Sequence, residues 1–337
     1  MTLLAPPVPR VHPDLVRLLG RVHRADAFEF LPRLPEESVH AIVTDPPFGI
    51  GFLGNLWDEF PDGPVGYQGW AKVWARACLR VLVPGGHLVA FGGNRTMHRM
   101  TAGLEDAGFE IRGLLGWIHA QGLPKQRGQL RPALEPIVLA RKPFTGSAIS
   151  TFGRHGTALL NVEASRIPFA DVEDSRSGYW PGDHPDRPQG RPWYGRVGGG
   201  GHRNRQGRWP ATALVTDGAL GDRSRYFDLE RWAEVAYVAK SRGHVRALGH
   251  PTVKPEPILA WLVSLVSWPG QVVLDPFAGT GTTVRAADNL SRLALGVERD
   301  AQYAAAYRTS RQRRRSQPSS ALSSTSNARP KSSGRVS

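Results

Sequence analysis

The sequence predicts an α/β protein whose mostly parallel β-sheet is covered by helices. Between residues 21 and 142, short apolar runs rich in β-branched residues alternate with segments of helical periodicity, which is the rhythm of such a sheet. Near the other end, Val272–Leu274 runs into Asp275, and a Gly-x-Gly turn then opens a helix at Thr282. That strand–turn–helix unit is typical of nucleotide-binding sheets.

Each predicted element has a local signal. The apolar run Val39–Thr44 has the length and composition of a buried strand. After it, Trp70, Trp74 and Cys78 belong to a set of apolar residues at helical spacing, and Pro84–Gly86 is predicted to end that helix. Further strands are predicted at His87–Phe91, Gly113–His119, Pro136–Ala140, Glu234–Ala239, Gln271–Leu274 and Leu293–Val297. Further helices are predicted at Met97–Ala107, Glu256–Val266 and Thr282–Asn289.

Two segments lack this periodicity. The stretch Asp174–Trp209 is dense in Gly, Pro, Arg and aromatic residues, and a long loop of this kind is usually functional or disordered. Beyond Arg308 the chain is rich in Ser and Arg and contains seven basic and no acidic residues. That composition predicts a disordered tail.

The composition limits the class of protein. A net charge of +14 favours a polyanionic partner, because phosphates attract clustered Lys and Arg, although GC-rich codon usage would also enrich Arg. The single cysteine, Cys78, excludes an internal disulfide framework and a CxxC zinc site. The proline-rich start of the chain is a poor signal peptide, and the longest apolar stretch, Ile258–Trp268, is shorter than the roughly 18 residues that span a bilayer. These features predict a soluble, cytoplasmic protein.

The glycine turn is a candidate cofactor loop. Gly279 and Gly281 let the backbone pass close to a ligand, and the helix that follows offers free N–H groups. Glu298 ends the next strand, where a carboxylate can accept hydrogen bonds from ribose hydroxyls. Val284 replaces the third glycine of the dinucleotide fingerprint, so the residues alone leave three interpretations open. These are a nucleoside cofactor, a nicotinamide-dependent oxidoreductase, or a helix cap without a ligand.

The tetrapeptide Asp45-Pro46-Pro47-Phe48 is a candidate base site. It follows a predicted strand, so it lies at the carboxyl edge of the sheet, where open α/β folds bind ligands. The prolines stiffen a backbone that presents mainly acceptors, and Asp45 adds another. Convergent acceptors and an aromatic plane suit an exocyclic amino group on a flat heterocycle. The alternative is that the tetrapeptide only ends a strand in a turn.

Together, these motifs resemble those of the amino-methylating DNA methyltransferases, which transfer a methyl group from S-adenosylmethionine to adenine N6 or cytosine N4. The order matches the β-type arrangement of that family, with the catalytic motif before the cofactor motif. Three more segments resemble family motifs: Asp26–Pro35, Leu88–Arg95 and His250–Pro255. The resemblance covers about residues 21–145 and 210–308.

The resemblance implies a Rossmann-like S-adenosylmethionine-dependent methyltransferase fold, with a doubly wound sheet and a circularly permuted motif order. It divides the chain into an N-terminal extension (1–20), a catalytic half (21–145), a partly flexible target-recognition insertion (146–232), a cofactor-binding half (233–308) and a disordered basic tail (309–337).

The resemblance also assigns site residues. The catalytic residues would be Asp45, Pro46, Pro47 and Phe48. The cofactor would contact Asp26, Ala27, Thr252, Lys254, Asp275, Pro276, Phe277, Gly279, Thr280, Gly281, Thr282 and Glu298, with Asp26 near its adenine and Lys254 near its methionine end. DNA contacts are expected in the Arg-rich insertion, at Arg191, Arg196, Arg203, Arg205, Arg208 and Trp209.

The expected reaction is direct in-line methylation of adenine N6 in double-stranded DNA, after the base has flipped out of the helix. Asp before Pro-Pro usually accompanies adenine in this family, and cytosine N4 is the alternative. Phe48 stands where Tyr is commoner, so stacking is retained without the hydroxyl. No metal is expected, and Cys78 is expected to be a core residue. The sequence leaves open a homodimer and a restriction endonuclease partner, and favours a bacterial or phage origin.

Overall fold

A computed structural model of the protein contains one eight-stranded sheet. The structure describes residues 5–51, 54, 58–120, 128, 130, 132–169, 207–216, 218–220, 227–236 and 253–316, with only the helix assignment for residues 310–316. The strands are β1 (Arg21–Arg24), β2 (Val39–Thr44), β3 (Leu82–Phe91), β4 (Glu110–Ile118), β5 (Leu134–Arg141), β6 (Ala213–Val215), β7 (Val272–Asp275) and β8 (Leu293–Glu298). Their order across the sheet is β1-β8-β7-β2-β3-β5-β4-β6.

The sheet is parallel from β1 to β3, and the strand that carries the candidate base motif lies in this part. Strand β2 is buried along its whole length and pairs with β3 on one side and β7 on the other. Strand β5 is antiparallel to both β3 and β4, and β6 pairs with β4 in parallel. Because β2 and β7 are parallel neighbours, the segments that follow them meet at one edge of the sheet.

Helices cover both faces of the sheet. They are α1 (Ala27–Phe30), α2 (Gly63–Val81), α3 (Met97–Asp106), α4 (Ala148–His155), α5 (Leu229–Ala236), α6 (Glu256–Val266), α7 (Thr282–Asn289) and α8 (Ala301–Ser316). In β2, Ala41 and Val43 contribute to the core beneath α6 and α7, and Ile42 contributes to the core beneath α2 and α3. This alternation, which follows from the two-residue period of a strand, confirms the doubly wound α/β class. None of the helices within the described ranges is long and apolar enough to cross a membrane.

Most predicted elements are confirmed, but the strand predicted at Glu234–Ala239 is wrong. Its described part belongs to helix α5, which begins at Leu229. Leu229 and Trp232, three positions apart, are both buried, and α5 packs against α6. The Asp228 side chain accepts hydrogen bonds from the backbone N–H groups at the start of α5, as a helix cap does. A local run of apolar residues could not distinguish this buried helix from a strand.

Two boundaries also differ from expectation. Helix α2 ends at Val81, and Pro84–Gly86 lies inside β3 rather than in the turn that ends the helix. There Gly85 has a φ of +75°, and its backbone exchanges hydrogen bonds with Ala158 and Lys142. Helix α8 continues to Ser316, so the expected start of a disordered tail at residue 309 is wrong.

The beginning of the expected insertion packs on the body of the sheet. Helix α4 contacts β3 and buries Phe152. The hydroxyl of Thr157 donates a hydrogen bond of 2.6 Å to the Pro84 carbonyl, and Gln271 donates one of 2.8 Å to the Gly156 carbonyl. Residues 148–158 are therefore structural support for the sheet, close to both strands that flank the site.

Candidate active site

The base motif and the cofactor loop are joined at the ends of β2 and β7. Thr44, the last residue of β2, donates a hydrogen bond of 2.7 Å from its hydroxyl to Asp275 Oδ1, and the Phe277 N–H donates one of 3.1 Å to the same oxygen. Burial raises the pKa of Asp275 to about 6, against the opposing effect of hydrogen bonds from Thr283, Thr44 and Phe277. One carboxyl group therefore connects two sequence motifs that are more than 200 residues apart.

A cavity of about 1040 Å³ opens at this edge of the sheet. It brings together the following residues that the sequence assigned to catalysis or cofactor binding: Asp26, Ala27, Asp45, Pro46, Pro47, Phe48, Lys254, Asp275, Pro276, Phe277, Gly279, Thr280, Thr282 and Glu298. Gly281 lies behind the loop, with a φ of +76°, where an added Cβ would lie 2.5 Å from Tyr307 Cδ2. Thr252 lies outside the described residues. The cavity is large enough to hold two ligands that meet.

Asp45 presents its two carboxylate oxygens differently. Its Oδ2 accepts a hydrogen bond of 2.8 Å from Lys254 Nζ. Its Oδ1 is buried and has no hydrogen-bond partner among the residues that the structure describes. Burial raises the pKa of Asp45, the ammonium of Lys254 lowers it, and the charge of Glu135 raises it again. Asp45 is thus a half-satisfied acceptor, with one oxygen open to a ligand.

The loop after Asp45 is held by contacts from three directions. The Tyr67 hydroxyl donates a hydrogen bond of 2.9 Å to the Pro47 carbonyl, and the Thr96 hydroxyl donates one to the Phe48 carbonyl. Asp58 accepts hydrogen bonds from the backbone N–H groups of the two residues that follow Phe48, at 2.7 and 3.2 Å. These contacts fix a backbone whose prolines lack donors of their own, and so preorganise the motif.

The cofactor end of the cavity is built by the ends of β1, β7 and β8. Glu298 accepts hydrogen bonds from the Gly279 N–H at 2.8 Å and from the Asp300 N–H at 2.6 Å. Burial raises the pKa of Glu298. Asp26 caps α1 by accepting a hydrogen bond of 2.8 Å from Phe28 N–H. Two acidic side chains therefore stand beside a glycine loop, as a nucleoside with free ribose hydroxyls requires.

An aromatic wall completes this end of the cavity, and the sequence did not assign it. The Trp70 ring lies 5.5 Å from the Phe277 ring and 6.1 Å from the Phe28 ring, measured between centroids. All three residues line the cavity. Trp70 was read only as a helix-core residue, because its helical spacing cannot show that one edge of α2 faces a ligand site.

Two polar residues on the opposite wall were also missed. Glu135 lies at the start of β5, and its Oε2 is 3.3 Å from Lys254 Nζ. His119, just after β4, places Nε2 3.8 Å from Glu135 Oε1. Neither residue belongs to a motif, so no local signal could have identified it. Their proximity to the base motif depends on the order of the strands.

The DNA-contact residues are only partly described. The Arg208 guanidinium lies 4.9 Å from the centre of the Phe169 ring, and Arg166 lies 4.7 Å from the exposed ring of Trp209. The backbone of Arg208 pairs with Ile167. Arg191, Arg196, Arg203 and Arg205 lie outside the described residues, and their assignment stays a prediction.

The single cysteine takes no part in this site. Cys78 is buried in the core between α2 and the sheet, as expected, and burial raises the pKa of its thiol. Among the described residues there is no group of three or more His, Cys, Asp and Glu side chains that could hold a metal ion.

The fold and the site define an α/β protein that places an amino-accepting carboxylate beside a nucleoside-type loop. The sequence model of the DNA methylase family, of the N6/N4 type, matches residues 39–309. This match covers most of the chain, so the protein belongs to that family and is a DNA methyltransferase of the N6/N4 type.

Individual relatives are similar along most of their length. The type II methyltransferase M.HindIII of Haemophilus influenzae is 24% identical, over 84% of this chain and 92% of that protein. The solved PvuII DNA methyltransferase, which is cytosine-N4-specific, is 17% identical, with a TM-score of 0.54 over 94% of this chain and 91% of its own. The solved M1.HpyAVI–SAM complex is 18% identical, with a TM-score of 0.47 over 88% and 99% of the two chains. At these identities the PvuII likeness is one of fold, which is Rossmann-like.

Proposed function

We propose that this protein transfers a methyl group from S-adenosylmethionine to N6 of adenine in double-stranded DNA. The observation that carries the proposal is Asp45 Oδ1, a buried acceptor with no partner within the described ranges, in the lining of a cavity shared with the Gly279 loop. An acceptor left open in a preorganised site is suited to an N–H group that the ligand brings.

The residues at the other end of the cavity fit the cofactor. Gly279 and Glu298 form a cradle for a ribose, and Asp26 stands where an adenine amino group can be bound. The rings of Phe28, Trp70 and Phe277 supply an apolar wall for a purine. When bound, S-adenosylmethionine supplies an activated methyl group on a sulfonium. The chain itself binds, orients and shields the reactants.

Asp45 and Pro46 act on the nucleophile. The amino nitrogen of adenine is a poor nucleophile because its lone pair is delocalised into the ring. The Asp45 carboxylate and the Pro46 carbonyl accept its two N–H groups, which favours tetrahedral nitrogen and stabilises the positive charge that develops during attack. Phe48 stacks on the base, which has left the DNA helix to reach the cavity. Asp45 then accepts the proton that the methylated nitrogen releases.

The two halves of the chain divide this work. Residues 21–145 supply the acceptor site, and residues 233–308 supply the cofactor site. The insertion between them, residues 146–232, contacts DNA, and the exposed Trp209 and its neighbour Arg208 are the described candidates for that surface. The high positive charge of the chain supports a DNA partner.

Incubation with isotope-labelled S-adenosylmethionine and mixed duplex DNA, followed by mass analysis of the nucleosides, tests the proposal. We expect labelled N6-methyladenine. Labelled N4-methylcytosine would refute the choice of base, and unlabelled DNA would refute the function.

The Asp45→Ala variant serves as the matched control. It should lose at least about 10²-fold in transfer rate, the scale reported for removal of a transition-state hydrogen-bond partner. Its affinity for S-adenosylmethionine, measured by calorimetry, should stay close to that of the parent. Near-parental turnover of this variant would exclude Asp45 from catalysis.

A further inference from the structure

We propose that Lys254 and Glu135 are positioning residues for the methyl-acceptor site, which hold Asp45 through one oxygen and keep the other directed at the target amino group. The proposal rests on the proposed function, in which Asp45 accepts that amino group. It assigns Lys254 to the base side of the cavity rather than to the methionine end of the cofactor, and it adds Glu135 from a strand without a motif.

Three charged groups from separate parts of the chain form a line across the cavity wall. Asp45 follows β2, Glu135 lies in β5 and Lys254 precedes α6. Lys254 Nζ lies 2.8 Å from Asp45 Oδ2 and 3.3 Å from Glu135 Oε2. Only Oδ1 of Asp45 lacks a hydrogen-bond partner in the described part of the chain. The pairing with Lys254 therefore selects which carboxylate oxygen is open to the base.

Aromatic rings hold the ammonium in this place. Lys254 Nζ lies 5.1 Å from the centre of the Phe48 ring and 5.0 Å from that of the Phe91 ring, both within the range of cation–π attraction. The Lys254 side chain is only 7% exposed. A lysine on the surface would move among rotamers, whereas this one is confined between two rings and two carboxylates. It can therefore define the orientation of Asp45.

Glu135 keeps Lys254 from fully neutralising Asp45. A buried ammonium with one carboxylate would form a closed pair, which weakens that carboxylate as an acceptor for a second donor. Here the ammonium is shared, because Glu135 lies on its other side and is itself near His119. Two carboxylates around one ammonium leave net negative charge where the amino nitrogen becomes positive during methyl transfer.

The two side chains affect Asp45 in opposite directions. Burial raises the pKa of Asp45 most strongly, Lys254 lowers it, and Glu135 raises it. The other ionisable groups around Asp45 are Asp275 at the end of β7 and Tyr67 in α2, with His119 behind Glu135. Loss of Lys254 should therefore shift the titration of Asp45 to higher pH, and loss of the Glu135 charge should shift it to lower pH.

Direct titration of Asp45 tests this inference independently of activity. The full-length protein, labelled with ¹³C at the aspartate carboxyl groups, is titrated by NMR, and the Asp45 signal is assigned by its loss in Asp45→Asn. We expect the midpoint to rise by about one pH unit or more in Lys254→Gln and to fall by about half a unit or more in Glu135→Gln. The matched control is Glu110→Gln, which removes a carboxylate paired with Arg141 on the same two strands but outside the cavity.

The pH dependence of kcat/KM gives the second readout. Its acid limb reports the ionisation of the free enzyme's essential base, so it should shift in the same opposite directions, about tenfold in rate per pH unit. Lys254→Arg should restore the position of the limb at least partly, because it keeps the charge. Glu110→Gln should leave the profile unchanged.

Each outcome is decisive. Opposite shifts in the two variants support the positioning role, and shifts in one direction, or none, overturn it. If Lys254→Gln does not fold, the downward shift in Glu135→Gln is required alone, and its absence overturns the proposal. An active parent with unshifted midpoints refutes the inference only. A parent that methylates no DNA refutes the proposed function, while the NMR titration still decides the role of Lys254 and Glu135.

Discussion

A buried histidine beside the catalytic strand should make this fold sensitive to mild acid. His40 lies in β2, is 4% exposed, and its Nδ1 accepts a hydrogen bond of 3.2 Å from the Val272 N–H of β7. Nδ1 can accept that bond only while it is unprotonated. Burial, together with the nearby charge of His155, lowers the pKa of His40 to about 4.

The size of the effect follows from proton linkage. In the unfolded chain His40 titrates near its usual value of about 6.5, so between pH 6.5 and 4 the unfolded state binds more protons than the folded state. Stability is therefore lost as the pH falls through this window. The loss amounts to about 2 kcal/mol at pH 5 and approaches about 3.4 kcal/mol below pH 4.

The assay compares the parent with His40→Asn, whose side-chain oxygen can accept the Val272 N–H without titrating. Urea unfolding at pH 7.5 and pH 5 gives the free energy of unfolding of each protein. The parent should lose about 2 kcal/mol more than the variant between these two pH values. Other groups, such as the buried His87 and Asp275, titrate in both proteins and cancel in the comparison. An equal loss in the two proteins would refute the reasoning.

Three further substitutions probe the cofactor side. Gly281→Ala should lower the free energy of unfolding by about 2–4 kcal/mol in urea, because it combines a positive φ with a clash against Tyr307, and an unchanged midpoint would contradict this. Thr44→Val removes a donor from the buried Asp275 carboxyl and should cost about 1–3 kcal/mol, again by urea unfolding; a neutral effect would show that this link is dispensable. Glu298→Gln should weaken S-adenosylmethionine binding about tenfold or more by calorimetry, and unchanged affinity would remove Glu298 from the cofactor site.

Part of the site could be predicted because its chemistry is local. Asp45, its prolines and Phe48 are adjacent in the chain, as are Asp275 and the glycines of the cofactor loop. Each motif ends a strand, and parallel strands place such ends at one edge of a sheet. The sequence could therefore predict that the two motifs meet, and the bond from Thr44 to Asp275 shows how closely they do.

The errors have equally physical causes. The run at Glu234–Ala239 contains apolar residues that fit either a short strand or a buried helix, and packing of Trp232 against α6 decided for the helix. The early end predicted for α8 arose because a polar, Arg-rich segment has little apolar surface to bury. Its first turns are nevertheless anchored, since Tyr307 is buried against Gly281.

By itself, the sequence determined the α/β class, the order of the motifs and the acceptor and cofactor residues, because these depend on neighbouring residues and on strand periodicity. Only the tertiary structure decided what surrounds Asp45. Lys254 and Glu135 lie 209 and 90 positions away from it in the chain, and they reach it because β5 folds back beside β3 while α6 begins above β2. Strand order and helix placement depend on burying apolar faces over the whole chain, and no local pattern carries that information.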